Sequence, residues 1–187
     1  AHDFNAATML ILEPGSTFKI LTLAEALERG KAEVGEQINS SGTLTYRGVT
    51  VHDAHPVAGA VTQERAIAES SNVLAATWAT RLGREGMRSF LARSGLTSPT
   101  NIGLPRESRG SYIASDQSIS QTMVMGFGQG FRSTPLAFLS AFSAIGSEGR
   151  RIVPRLINKI DDRLIQPVKQ DQLFRPEIAN YVLSLME

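Results

Sequence analysis

Ser16 and Lys19, in the stretch EPGSTFKI, have the types and spacing of a nucleophile and its base. Residues three apart on a helix share a face, so a hydroxyl and an amine at these positions can come within hydrogen-bond reach. A serine hydroxyl is a poor nucleophile until a base takes its proton. A lysine amine can be that base only where burial or a neighbouring cation holds it neutral near pH 7. The apolar residues around Lys19 make such burial the expectation. Pro14 and Gly15 set the serine at the start of the helix, where unpaired backbone N–H groups and the positive end of the dipole stabilise an oxyanion. Taken alone, Ser-x-x-Lys is short enough to arise about once by chance in a chain of this size. A capping serine beside a surface lysine is then the reading to prefer.

A second pair narrows the choice. Ser70 and Asn72, in AESSNVLAA, place a hydroxyl and an amide side by side at a helix junction, the one Ser-x-Asn of the sequence. The hydroxyl can relay a proton, and the amide can hold a substrate carbonyl or amide group.

The elements that must position these residues follow from periodicity and breakers. TFKILTLAEALERG spaces Phe18, Leu21, Leu23, Ala24 and Leu27 as a buried helix that stops at Gly30. TLTYRGVTV reads as a hairpin turning at Arg47-Gly48, and HDAHPVAG as loop. Thr62 caps a short helix. A second helix runs to Gly83, a third ends at Gly95, and residues 96–115 are mostly irregular. Residues 117–125 are predicted helical, and the Gly-rich GFGQGFRST leads to Thr134 and Pro135, a cap and first-turn pair. RIVPRLINKI and RLIQPVK read as short strands, and Pro176 opens a last helix. Trp78 lies on an apolar helix side and reads as core.

The bulk properties exclude several classes. With 187 residues, 42% hydrophobic and a formal net charge of +1, the chain suits one globular domain with a sizeable core. Acidic and basic residues interleave, so no nucleic-acid partner is indicated. There is no cysteine, which rules out disulfides and thiolate metal sites. No apolar run approaches the ~20 residues of a membrane span. His52, Asp53 and His55 are metal-ligand types, but Pro56 denies them helical ligand geometry and no fourth ligand is near in sequence. GFGQG lacks the Gly-Lys-Ser/Thr of a phosphate loop, so its glycines are better read as backbone-permissive positions.

Ser16-x-x-Lys19 and Ser70-x-Asn72 match, in order, the first two of three motifs of the penicillin-binding proteins and serine β-lactamases. The flanking stretches LEPGSTFK, His52-Asp53, GLPRESRG, GFGQGFRSTPL and RIVPRL resemble a class B penicillin-binding protein transpeptidase domain, in consistent order over most of the chain. The resemblance implies an α+β fold, of which residues 1–187 would form a partial transpeptidase domain. That domain would be the nucleophile helix with a helical subdomain, much of the central antiparallel sheet being absent. It implies Ser16 as acylated nucleophile, Lys19 as general base, Ser70 as proton shuttle and Asn72 as substrate-binding amide. The backbone N–H of Ser16 would supply half of an oxyanion hole.

The implied reaction cross-links peptidoglycan stem peptides ending in D-Ala-D-Ala, with β-lactams as mimics that acylate the serine and no cofactor or metal. The implied setting is the extracytoplasmic face of a bacterial membrane, among cell-wall synthesis or division proteins met through a membrane-anchored parent.

Some positions depart from the family pattern. Ala137 replaces the usual Gln after TPL, and Ser147-Glu148-Gly149 stands where Asn-Gly-Gly is expected. The third motif, Lys-Thr/Ser-Gly, is not in the sequence; the family places it some tens of residues beyond a segment like RPEIANYVLSLME. A non-catalytic scaffold, or an inactive piece of a longer chain, therefore stays open beside the transpeptidase. β-Lactam hydrolysis is less favoured, because the Glu-x-x-Leu-Asn signature of class A β-lactamases is absent and Asn72 replaces the class D valine.

Overall fold

A computed structural model describes residues 4–116, 118–165 and 171–187. Helix α1 (Ala6–Met9) is capped by Asn5, whose Oδ1 accepts the Ala7 N–H at 3.0 Å. The chain then extends to Leu12, which exchanges backbone hydrogen bonds of 3.0 and 2.9 Å with Ser133. A tight 3-10 turn, Gly15–Thr17, feeds α2 (Phe18–Glu28). Phe18, Leu21, Leu23, Ala24, Ala26 and Leu27 of α2 are all buried, so the helix is enclosed nearly all round, as a central helix must be. It ends as the sequence predicts. Gly30 takes φ +62, and the Lys31 N–H returns to the Ala26 carbonyl at 2.7 Å, a glycine-closed C-terminus.

Strands β1 (Gln37–Ser41), β2 (Thr43–Tyr46), β3 (Val49–His52) and β4 (Ala58–Thr62) form two antiparallel pairs, β1 with β4 and β2 with β3. The β2–β3 hairpin turns at Arg47 and Gly48, both at positive φ, as a two-residue turn of matching twist requires. β4 begins within the stretch expected as loop, at Ala58 and Gly59: AGAVT has no alternation to signal a strand, and its pairing with β1, Gln37 opposite Thr62, supplies the order instead.

Thr62 caps α3 (Gln63–Ala68), and Ser71 caps α4 (Asn72–Arg93). At Gly83 (φ 73, ψ 171) the backbone leaves helical geometry, so α4 is two helical segments meeting at a bend, as the sequence implies. The stretch 96–115 contributes only β5 (Ser111–Tyr112). Helix α5 (Ile119–Gly126) starts after Ser118, two residues later than the predicted start at 117, which lies outside the described residues. β6 (Phe131–Arg132) pairs with β5, and α6 (Pro135–Phe142) begins with the anticipated Thr134 cap and Pro135. β7 (Arg150–Arg151), β8 (Lys159–Ile160), β9 (Arg163–Leu164) and β10 (Asp171–Gln172) pair as β7 with β10 and β8 with β9, ahead of α7 (Pro176–Ser184). The strand expected over RLIQPVK is seen as far as Leu164, and its residues 166–169 lie outside the described ones. The fold is α+β, and no sheet among the described residues exceeds two strands.

Helices α4 and α5 touch backbone to backbone. A Cβ on Gly126 would sit 2.5 Å from the Ala75 carbonyl oxygen, so only glycine fits there, and Thr22 donates to the Gly126 carbonyl at 2.8 Å to tie α2 to the same point. Behind α2 a run of aromatic rings crosses the core. Phe18 lies 4.7 Å from Phe131 and 6.0 Å from Phe90, which lies 5.9 Å from Phe174. Glu25, on α2, is fully buried and is held by Arg29 at 2.9 Å and Arg93 at 2.5 Å. Arg93 also donates to the Leu173 carbonyl at 2.7 Å.

Candidate active site

Two structures carry the predicted residues. Ser16 is the middle residue of the Gly15–Thr17 turn and is exposed, whereas Lys19 lies in the first turn of α2 and is 3% exposed. The turn is clasped by the Gly-rich loop after α5. The Gly15 N–H donates to the Gly128 carbonyl at 3.0 Å, and the Glu13 carboxylate accepts the Gly130 N–H at 3.0 Å. Gly128 (φ +80) is pressed against Gly15. The glycines read as backbone-permissive therefore shape the seat of Ser16.

The second structure is the junction between α3 and α4. Ser70 adopts φ +53, a left-handed conformation that a residue with a side chain enters at some cost. In that conformation its carbonyl and its hydroxyl both face Lys19, whose Nζ donates to the carbonyl at 2.5 Å and to Oγ at 3.0 Å. Lys19 and Ser70 are thus brought together across 51 residues of sequence. Ser16 differs from expectation: its hydroxyl has no hydrogen bond to Lys19 or to any other described residue, because Ser70 offers the buried amine two oxygens and Ser16 faces solvent. Asn72 opens α4, half-buried, and its Nδ2 donates to the His52 carbonyl at 3.3 Å.

Burial lowers the Lys19 pKa from 10.5 to about 8, and the Asp53 carboxylate pulls it part of the way back up. A neutral amine has two N–H bonds and one lone pair. With both N–H bonds engaged by Ser70, the lone pair is what remains.

Beyond its place in the His52-Asp53 match, Asp53 enters the sequence reading only as one of the metal-site residues set aside there. Its carboxylate accepts the Ser71 hydroxyl on both oxygens, at 3.0 and 3.1 Å, and the Val73 N–H at 2.9 Å. No spacing rule signals this contact, since the partners lie 18 and 20 residues away on another element. His52 turns its ring to Thr43 at 3.1 Å, and no group of three metal-binding side chains occurs among the described residues.

The model of the penicillin binding protein transpeptidase domain matches residues 3–187. Penicillin-binding protein PbpB of Mycolicibacterium smegmatis is 37% identical over 148 residues, 78% of this chain and 23% of that protein. Peptidoglycan D,D-transpeptidase FtsI of Escherichia coli K12 is 31% identical over 180 residues, 95% of this chain and 29% of that protein. Among solved structures, penicillin binding protein 3 of Mycobacterium tuberculosis complexed with aztreonam superposes with a TM-score of 0.86 at 30% identity, over 97% of this chain and 42% of that one. The chain belongs to the penicillin-binding protein transpeptidase domain family. It spans about a quarter of the length of the curated relatives it matches.

Proposed function

We propose that this chain carries the nucleophile half of a peptidoglycan D,D-transpeptidase site, as a partial transpeptidase domain over residues 1–187. Ser16 is the nucleophile, Lys19 its general base, Ser70 the proton relay and Asn72 the amide that orients the substrate. The observation that carries the reading is the Lys19 amine: buried, lowered to about 8, and bound through its N–H groups by Ser70. That leaves a lone pair for the proton of an approaching serine hydroxyl.

The chemistry then runs in two transfers. Ser16 Oγ bonds to the penultimate D-Ala carbonyl carbon as its proton passes to Lys19. The C–N bond breaks, and the terminal D-Ala leaves as an amine with a proton delivered through Ser70. An amine of a neighbouring strand next attacks the ester, gives up a proton, and releases Ser16. The start of α2 and the turn N–H groups favour the developing oxyanion.

β-Lactams stop at the ester. Relatives are named as penicillin-binding proteins, and solved structures of a related protein hold aztreonam and ampicillin, which supports the same ligand class here. By the same kinship the setting is the outer face of the bacterial membrane, with cell-wall or division proteins as partners. No helix among the described residues is long and apolar enough to cross a membrane.

Fluorescent penicillin and the full-length protein test the assignment. Wild type is expected to be labelled covalently and Ser16→Ala not. Equal labelling of Ser16→Ala overturns it, and rapid loss of the label from wild type would indicate hydrolysis in place of transfer.

A further inference from the structure

Lys19 owes its partners to a turn that backbone alone closes on the α3 side: the Ser70 N–H donates to the Ile67 carbonyl at 3.0 Å and the Ser71 N–H to the Ala66 carbonyl at 2.9 Å, a left-handed helix C-terminus. Ser70 sits at positive φ without being glycine, and the hydroxyl and carbonyl it shows to Lys19 both depend on that conformation. On the α4 side the contacts that fix the turn come from Asp53. Its two carboxylate oxygens grip Ser71, the next residue, while Oδ1 also takes the Val73 N–H. Ser71 in turn caps α4 by accepting the Leu74 N–H at 3.1 Å. Asp53 is itself fixed, since its N–H donates to the Gly42 carbonyl at 3.1 Å. Gly42 sits tight against Pro56, where a Cβ would come within 2.8 Å of the Pro56 Cβ.

We propose that Asp53 is a positioning residue for serine acylation: by gripping Ser71 and the start of α4 it locks the junction in which Ser70 presents its hydroxyl and carbonyl to Lys19. The inference rests on the reading of Lys19 as the base for Ser16.

Two effects follow, and they have different signatures. Mechanically, loss of the grip unlocks the junction and slows acylation at every pH. Electrostatically, loss of the charge removes the one nearby anion that favours protonated Lys19, so the amine becomes neutral at lower pH. Other charged groups near α2 are engaged away from the amine. Glu25 is held by Arg29 and Arg93, Glu28 pairs with Arg175 of the α7 cap, and Glu69 pairs with Arg65 on α3. Glu13 is spent on the Gly130 N–H, the His52 ring faces Thr43, and α5 carries no charge.

The test is the pH profile of acylation by a chromogenic β-lactam, read by stopped flow on the full-length protein, with Ser16→Ala as the control. Asp53→Asn keeps the shape and an acceptor oxygen but removes the charge. Its acid limb is expected to move down by about half a pH unit or more, with the plateau rate within a few fold of wild type. Ser71→Ala removes the grip and keeps the charge. Its plateau is expected to fall about tenfold or more with the acid limb unmoved.

Wild-type profiles for both variants overturn the proposal. So does an equal fall in both with neither limb shifted, which a structural role alone would give. If Ser16→Ala is acylated as fast as wild type, it is the nucleophile assignment that fails, before Asp53 is reached. Should Ser71→Ala not fold, the limb position of Asp53→Asn decides.

Discussion

Gly128 and Gly15 meet so closely that a Cβ on Gly128 would stand 2.0 Å from the Gly15 carbonyl oxygen. At φ +80 Gly128 is also in a region that other residues enter only under strain. The loop after α5 and the turn bearing Ser16 therefore fit together only through a residue without a side chain. Gly128→Ala is expected to cost about 2 kcal/mol or more of stability and to slow β-lactam acylation at least tenfold. Urea unfolding and stopped-flow labelling measure the two. Wild-type acylation in a stably folded Gly128→Ala protein would show that the clasp does not set the turn.

The lowered pKa of Lys19 predicts where the rate depends on pH. If the neutral amine is the base, acylation by a β-lactam climbs about tenfold per pH unit up to about 8 and levels above it. A profile already flat from pH 6 would mean that Lys19 is not the group whose proton is lost.

The same amine costs stability. Folding lowers the Lys19 pKa from 10.5 to about 8, so between those values the unfolded chain binds more protons and stability rises with pH. Below about pH 8 the full penalty applies, roughly 3 kcal/mol at about 1.4 kcal/mol per unit. Lys19→Met is thus expected to abolish labelling while leaving the pH 7 unfolding midpoint equal or raised. A midpoint lowered by several degrees would mean that the contacts to Ser70 outweigh the burial of the charge.

Glu25 presents the opposite balance. Burial pushes its carboxyl above the usual range, and Arg93 and Arg29 pull it back. Removing it strands Arg93, which bridges α2, α4 and the Leu173 carbonyl. Glu25→Ala should therefore cost about 3–5 kcal/mol, and Glu25→Gln, which keeps an acceptor oxygen, clearly less. Thermal unfolding of the two variants ranks them; equal losses would deny the pair its charged character.

Helix ends were the most legible part of the sequence because they have chemistry of their own. Thr62, Thr134 with Pro135, Pro176 and Gly30 all serve the end they signal. Ala58–Thr62 was not legible as a strand, since its order comes from Gln37–Ser41 across the pair and not from any pattern within it. At the site, side-chain types and spacing brought Ser16, Lys19, Ser70 and Asn72 into view. They could not show that Lys19 would turn to Ser70, because Ser70 closes α3 in a left-handed conformation without the glycine that would signal one, and because the contact depends on how α2 packs against the α3–α4 junction. Asp53 was hidden for the same reason. Its partners are set by how β3 meets α4, a tertiary fact.

The aromatic run behind α2 links residues from nearly the whole chain: Phe18, Phe90, Phe131 and Phe174. Contacts so distant in sequence form late, because each must first close a long loop. Until that closure Ser16 and Lys19 are neighbours in sequence without the packing that buries the amine, and nothing lowers its pKa. On the roles proposed above, reactivity is then a property of the finished fold, and folding itself is the delay that keeps the serine inert.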